Sequence, residues 1–216
     1  MRVSGKSMYA RFWKRVLDFC LSLTAVVLLS PVLLVLTALG AFFMKGNPFF
    51  TQARPGRHEK IFHLIKFRTM TNERGPDGEL LPDAKRLNGY GRFLRATSLD
   101  ELPELFNILA GQMALVGPRP LLIRYLPAYT EEEHHRHDVR PGLTGLAQVN
   151  GRNFVGWDQR LAYDVEYVRN ITFVGDLRII RKTIQQVFAR EDIAVDTDAV
   201  ETYLDEERAH DHDDRA

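Results

Sequence analysis

The strongest pattern along the chain is an apolar run over residues 16–44. Of its 29 positions, 22 are apolar and Asp18 alone is charged. About 20 such residues cross a hydrocarbon core, so the run predicts a membrane helix. A cleaved secretory signal fits less well. Its apolar part is only about 7–15 residues long, and Ala38-Leu39-Gly40-Ala41 is a weak cleavage site placed too late. Ser30-Pro31 interrupts the run at mid-length. Proline lacks an amide hydrogen and clashes with the preceding turn, and a nearby serine can satisfy the freed backbone groups in lipid. Arg11, Lys14 and Arg15 precede the run; Lys45, Arg54, Arg57 and Lys60 follow it. Basic residues mark the cytoplasmic side. A helix that enters, breaks at Ser30-Pro31 and returns satisfies both flanks. A kinked helix that crosses is the competing arrangement.

Beyond the run the periods shorten. Phe49-Phe50-Thr51-Gln52 and Ile61-Phe62-His63-Leu64-Ile65-Lys66-Phe67 are aromatic and β-branched, with Pro55-Gly56 between them, and predict a β-hairpin. Residues 71–83 are polar and rich in Gly and Pro, so they predict a loop, and 86–94 a short helix. Ser98-Leu99-Asp100-Glu101 has the spacing of a capping box. Leu102, Leu105, Phe106 and Leu109 then follow on one helical face. Pro103 costs little only in a first turn, so the helix start slides by a few residues. Residues 121–137 predict a helix broken near Pro127, and Ala147-Gln148-Val149 a short strand. Two helices are expected over 156–170 and 176–190. The second puts Leu177, Ile180, Ile184 and Phe188 on one side, as a helix on a membrane surface or one packed on a core would.

Charge divides the chain unevenly. The net charge is +1, yet residues 1–190 carry 27 Lys+Arg against 17 Asp+Glu, and residues 191–216 carry 2 against 11. A basic body suits an anionic partner such as phosphate or a lipid surface. The acidic end predicts a solvated, mobile tail. The single cysteine, Cys20, excludes an intramolecular disulfide and any CxxC site. The expected fold is α+β and mostly helical: a membrane-helix region over 1–45, a cytoplasmic domain over 46–190 with a small hairpin and surface amphipathic helices, and a tail over 191–216.

Asp100-Glu101 is the leading chemical candidate. An ionised carboxylate is a nucleophile towards phosphorus or a hard ligand for Mg²⁺, although acidic pairs at helix starts are common for structural reasons alone. Lys66, Arg68, Arg92, Arg95, Arg119, Arg140 and Arg152 lie in or beside Gly/Pro-rich loops. Guanidinium forks match phosphate oxygens, and glycines let backbone amides approach them. Together these are the parts of a phosphoryl-transfer site. His134-His135-Arg136-His137 fits no standard zinc spacing and has no cysteine to help, so it is not read as a metal site. No Walker loop, GxGxxG or GxSxG is present.

The run Lys66-Phe67-Arg68-Thr69-Met70, then Ser98-Leu99-Asp100-Glu101-Leu102-Pro103-Glu104-Leu105, Val116-Gly117-Pro118-Arg119-Pro120, Arg140-Pro141-Gly142-Leu143-Thr144-Gly145 and Gln148-Val149-Asn150-Gly151-Arg152-Asn153 resembles the bacterial sugar transferase family. These are monotopic phosphoglycosyl transferases that begin glycan assembly on polyprenyl phosphate. The likeness extends from about Arg11 to Arg190. In length the chain is similar to the small members, nearest in appearance to the N,N′-diacetylbacillosamine-1-phosphate transferase. Leu146 stands where the family often has tryptophan, which puts an aromatic contact there in doubt but not the chemistry.

The resemblance implies transfer of a sugar-1-phosphate from a UDP-sugar, an N-acetylated amino sugar by likeness to the small members, to undecaprenyl phosphate, with release of UMP. It implies that Asp100 is the nucleophile, that Mg²⁺ lies beside Asp100, and that Glu101 orients the nucleophile, contacts the metal or assists the acceptor step. It places Lys66, Arg95, Arg119 and Arg152 near phosphates or sugar. Arg68, Pro120, His137, Arg140, Asp164 and Asp176 join the expected substrate-binding set. It also implies a re-entrant helix broken at Ser30-Pro31, seated in the inner leaflet of the bacterial cytoplasmic membrane with the catalytic domain in the cytoplasm. A homodimer is left open. A catalytically inert membrane-anchored scaffold is the alternative from another class. A nucleic-acid binder is disfavoured by the apolar run and by the lack of any nucleic-acid module.

Overall fold

A computed structural model describes residues 7–151, 155–189 and 202–213. The apolar run forms α1 (Lys14–Leu28), entered by a π-helical turn at Tyr9–Trp13, and α2 (Ser30–Phe43). Among the described residues no single helix is long and apolar enough to cross a membrane, but the two segments together pass that test and bend by 65° at the break. The bend has a local cause. Pro31 cannot donate to the carbonyl of Val27 four residues earlier. The Ser30 hydroxyl donates to that carbonyl instead, at 2.8 Å. Most of the pair's apolar surface is exposed, including Phe12, Leu21, Val27, Leu28, Leu34, Val35 and Phe42. Cys20 is exposed as well.

One edge of the pair is fastened to the domain. Leu33, Leu36 and Met44 pack on Phe67, Tyr90 and Leu94, and the Tyr90 hydroxyl donates to the Leu36 carbonyl at 2.7 Å. Arg15 donates to the carbonyls of Ile108 and Leu109 at 2.6 and 3.0 Å. It thus caps the C-terminal end of a later helix, where free carbonyls and the dipole favour a cation.

The hairpin forms as expected: β1 (Phe49–Pro55) pairs antiparallel with β2 (Ile61–Phe67), with Phe50 opposite Lys66. After a loop come α3 (Asp83–Arg86) and α4 (Gly89–Ala96), so the single short helix expected near 86–94 is two pieces. Asn88 accounts for the second start, since its side chain accepts from the Gly91 amide. Then follow α5 (Glu104–Leu109), β3 (Ala114–Val116), α6 (Glu131–His134), β4 (Gly142–Thr144), α7 (Leu146–Val149), α8 (Trp157–Arg169), α9 (Phe173–Ala189) and α10 (Leu204–Asp213). The architecture is mostly helical with a small antiparallel hairpin.

Several local expectations are corrected. Ser98 does not cap a helix: it sits in the left-handed region at φ 54°, and its side chain makes no cap hydrogen bond. A capping residue needs extended dihedrals to aim its oxygen at the amides ahead. Leu99–Glu101 form a single 3-10 turn, and α5 starts after Pro103, where a missing amide costs little. Residues 123–128 and 135–138 are 3-10 turns on either side of α6 rather than one broken helix. Ala147-Gln148-Val149 is helical, not a strand; three residues are too few to show a period.

The strand pairing lies instead between β3 and β4, which run parallel. Here two loops meet backbone to backbone. A Cβ on Gly142 would lie 2.1 Å from the Gly117 nitrogen, so this approach needs glycine. The Gly117 amide donates to Thr144 and the Gly142 amide to Pro118, at 2.8 and 2.9 Å.

The acidic end is also corrected. Residues 202–213 do not form a free tail: Leu204 is fully buried beside Trp157, Leu161 and Tyr125. Arg124 pairs with Asp205 and Glu206 at 2.6 and 2.8 Å, and Arg208 with Glu133 at 2.6 Å. Ion pairs thus run both ways, Arg124 of the body holding two acids of the end and Arg208 of the end holding Glu133 of the body.

Candidate active site

Strand period delivers the first cation. Phe62, Leu64 and Lys66 share one face of β2, and that face packs on Leu105, Ile108 and Met113 beside α5. Asn107 sets the register of strand and helix. Its amide donates to the His63 carbonyl at 2.8 Å, and its oxygen accepts from the Ile65 amide at 3.0 Å. Lys66 therefore meets the start of α5. Its ammonium lies 2.7 Å from Glu101 Oε1, 3.2 Å from Glu104 Oε1 and 3.9 Å from Asp100 Oδ2.

The second cation comes from the loop after β3. Arg119 donates to Glu101 Oε1 at 2.8 Å. Its carbonyl accepts from Arg136 at 2.7 Å, and Arg136 is locked by the buried Asp164 at 2.7 and 3.1 Å. Asp164 thus acts on the site through Arg136 and the backbone of Arg119.

The three carboxyls differ because their partners differ. Burial pushes Asp100 up, partly countered by Lys66. Burial would raise Glu101 too, but Arg119 and Lys66 outweigh it and hold Glu101 below the usual carboxylate range. Glu104, nearly buried, is pushed up to about 7 by burial, against the pull of Lys66. For Lys66 itself burial acts downward, and the surrounding carboxylates overcome it and raise its pKa. Glu101 is therefore a committed ion-pair partner. Asp100 accepts no hydrogen bond from the described residues and keeps a basic, available carboxylate.

These groups line a cavity of about 1360 Å³. Arg54, Arg68, Arg95 and Arg119 line its wall with Lys66, Asp100 and Glu101, while Leu21 and Ala25 of α1, Leu29 at the helix break and Ile180 and Ile184 of α9 line an apolar part. Arg68 reaches the Phe49 carbonyl at 3.3 Å and Arg95 the Thr69 hydroxyl at 3.2 Å, and the buried Arg68 Nε has no partner among the described residues. The cavity is cationic at one side and oily at the other.

Not every expected residue joins it. Lys66, Arg68, Arg95, Asp100, Glu101, Arg119 and Asp164 line the cavity, whereas Pro120, His137, Arg140 and Asp176 do not. Asp176 is a structural clip, accepting from Tyr9, Lys14 and Tyr167 at 2.7–2.8 Å and tying the N-terminal turn to α9. Arg140 donates to the Gly111 carbonyl at 2.7 Å. Pro120 is buried beside the Arg119 loop. Arg152 and Phe188 lie outside the described residues and side chains.

Two charged groups were missed, one lining the cavity and one behind Lys66. Arg54 reads in the sequence as a flank charge; in the fold it is a half-buried guanidinium on the cavity wall whose pKa is lowered to about 10 by burial and by Arg119. Glu104, at the start of α5, was legible as a third acid four residues after Asp100, but nothing local shows that it meets Lys66.

A cationic, carboxylate-bearing cavity that opens onto an apolar helix pair suits an amphiphile with a phosphate head, and the comparisons agree. The bacterial sugar transferase model matches residues 9–190. The uncharacterized sugar transferase EpsL of Bacillus subtilis is 49% identical over 175 residues, covering 81% of this chain and 84% of that protein. The undecaprenyl-phosphate galactose phosphotransferase of Salmonella typhimurium is 38% identical, covering 84% of this chain. The UDP-glucose:undecaprenyl-phosphate glucose-1-phosphate transferase of Klebsiella pneumoniae is also 38% identical, covering 82% of this chain. The chain spans only 42% and 40% of those two larger proteins. With the family model matched along residues 9–190, the chain belongs to the bacterial sugar transferase family.

Proposed function

We propose that the protein transfers a sugar-1-phosphate from a UDP-sugar to undecaprenyl phosphate and releases UMP, the first membrane step of glycoconjugate assembly. The observation that carries this reading is the cavity itself, with Asp100 free among cations at one side and apolar residues of α1 and α9 at the other. A diphosphate fits the first and a polyprenyl chain the second.

In the reaction proposed, an Asp100 oxygen attacks the β-phosphorus of the donor. The bond from that phosphorus to the bridging oxygen breaks, and UMP leaves with the electron pair. An oxygen of undecaprenyl phosphate then attacks the aspartyl phosphosugar, which restores the carboxylate and yields polyprenyl diphosphate sugar. Burial makes Asp100 more basic and so a better nucleophile. Lys66 and Arg119 neutralise phosphate charge and hold Glu101 in place, and Arg54, Arg68 and Arg95 supply further donors. A divalent cation is expected beside Asp100. The fit is chemical: a desolvated carboxylate with its nearest cation 3.9 Å away is a hard oxygen donor suited to Mg²⁺. Bound there, Mg²⁺ would neutralise diphosphate charge.

Seating in the inner leaflet, with the domain in the cytoplasm, follows from the same reading. The exposed apolar side of the helix pair continues onto α9 through the edge contact of Tyr9 with Phe173, and Val174, Leu177 and Ile184 are exposed beyond it. Such a face can lie in a membrane surface. Two donor classes enter the test. Likeness to the small members favours an N-acetylated amino sugar such as diacetylbacillosamine, whereas two of the relatives above are named for galactose and glucose.

The test is UMP release by the detergent-solubilised protein with undecaprenyl phosphate, Mg²⁺ and one UDP-sugar at a time. UMP from one donor is expected, with loss of turnover in Asp100→Asn and in EDTA. Incubation with donor alone should add one sugar-phosphate mass to the wild-type chain and none to Asp100→Asn. A folded protein that releases no UMP from any donor, or an Asp100→Asn protein that sustains glycan assembly at the wild-type level, would favour the inert scaffold.

A further inference from the structure

Away from the cavity, the turn between β1 and β2 meets the segment after α6. Glu59, His134 and His137 converge there, each with a ligand atom within 4.8 Å of the others. His134 Nδ1 lies 2.6 Å from Glu59 Oε1, and His137 Nδ1 lies 3.7 Å from the same oxygen. The His137 side chain is only 6% exposed, yet neither ring nitrogen has a partner of good hydrogen-bond geometry among the described residues. Buried polar atoms are nearly always bonded, so an orphaned imidazole facing two ligand-type side chains needs an explanation.

The geometry points to a divalent transition-metal site, of the zinc class, held by Glu59, His134 and His137. Two imidazole nitrogens and one carboxylate oxygen suit zinc-like ions, whereas Mg²⁺ and Ca²⁺ favour all-oxygen sets. Three protein ligands leave a fourth position for water. Donors about 2.1 Å from a tetrahedral ion lie about 3.4 Å apart. Closing the present span thus takes a movement of about an ångström. Glu59 and His134, 39% and 40% exposed, are free to make it, and they leave a path for entry from solvent. A simple His134–Glu59 hydrogen bond leaves both nitrogens of His137 unexplained.

Such an ion would join the hairpin turn to the segment that carries Arg136. Arg136 lies between the two histidine ligands and donates to the Arg119 carbonyl. The site is therefore structural, fixing the strut behind Arg119, and it is separate from any ion at Asp100.

The test uses the full chain in detergent, stripped with a chelator and titrated with Co²⁺ and then Zn²⁺ at constant Mg²⁺. One equivalent of Co²⁺ should bind with the visible absorption of a four-coordinate ion and be displaced by Zn²⁺, and Zn²⁺ should raise Tm. His134→Ala and Glu59→Gln, both at half-exposed positions, should fold without metal. Their affinity should fall by at least the roughly 10–100-fold that losing even an outer-shell partner costs. Asp100→Asn should keep the absorption, as should a variant with His210→Ala and His212→Ala in the acidic end. No binding by the folded wild type overturns the proposal. So does binding unchanged in both His134→Ala and Glu59→Gln, or binding lost in Asp100→Asn or in the variant of the acidic end.

Discussion

Three carboxyls within five residues take three different characters here, and the cations beside each decide which. Glu101 has two, at 2.7 and 2.8 Å, and stays ionised. Glu104 shares Lys66 but is nearly buried, and its pKa rises to about 7. This carries a pH dependence with a definite sign. The ordinary value is 4.5, so between about pH 4.5 and 7 the folded state holds a proton that the unfolded state has lost. Stability from this group is therefore present at the acid end and falls as pH rises through that window. The expected loss is about 1–3 kcal/mol. Unfolding of the wild type and of Glu104→Gln across this range checks it: the variant should lack that part of the slope, and identical slopes would mean that Glu104 ionises normally. Asp100, without a hydrogen-bonded cation, is the carboxyl left for chemistry, and Asp100→Asn tests it directly.

At the scale of elements, the site depends on joints between helices and strands. Asn107 bonds α5 to the backbone of β2 on either side of Leu64 and so sets how Lys66 meets the carboxylates. Asn107→Ala would leave the Ile65 amide and His63 carbonyl without these partners, at a cost of about 2–3 kcal/mol. The rate of UMP release per folded molecule should fall as well. A lower Tm with an unchanged rate would show that the joint does not position Lys66. The helix break has a comparable device, because the Ser30 hydroxyl serves the Val27 carbonyl that Pro31 cannot. Ser30→Ala should lower stability by about 1 kcal/mol, and Ser30→Thr should restore it. Equal melting of all three proteins in detergent would dismiss the role. The 3-10 turn at Leu99–Glu101 was hidden from the sequence because Ser98 has the composition of a cap but left-handed dihedrals.

For the whole molecule, the question is how parts distant in the chain hold one cavity. Arg15 reaches from α1 to cap α5, and Asp176 gathers Tyr9, Lys14 and Tyr167. The apolar pair is thus built into the domain and not merely tethered to it. The acidic end contributes as well: Leu204 fills a pocket against Trp157, and the Trp157 ring nitrogen donates to the Thr202 carbonyl at 2.9 Å. Leu204→Ala should cost about 2–4 kcal/mol and expose the last helix to limited proteolysis. Unchanged melting and unchanged cleavage would return that segment to the role of a free tail.

Much of this was legible in the sequence, for local reasons. The apolar run, its Ser-Pro break and the hairpin are written in periods of a few residues and in turn chemistry. Asp100, Lys66 and Arg119 lie in contiguous motifs whose residue types already suit phosphate chemistry. The tertiary structure alone decided the partnerships. Lys66 and Glu101 are 35 residues apart, Arg136 and Asp164 28, and Glu59 and His134 75. No period or spacing encodes such meetings, because they depend on how packed faces close the intervening loops. For the same reason the sequence counted Arg54 as a flank charge, grouped His137 and Asp176 with the substrate, and read the acidic end as free. Burial and the nearest partner set the role of a charged side chain, and both exist only once the chain has folded.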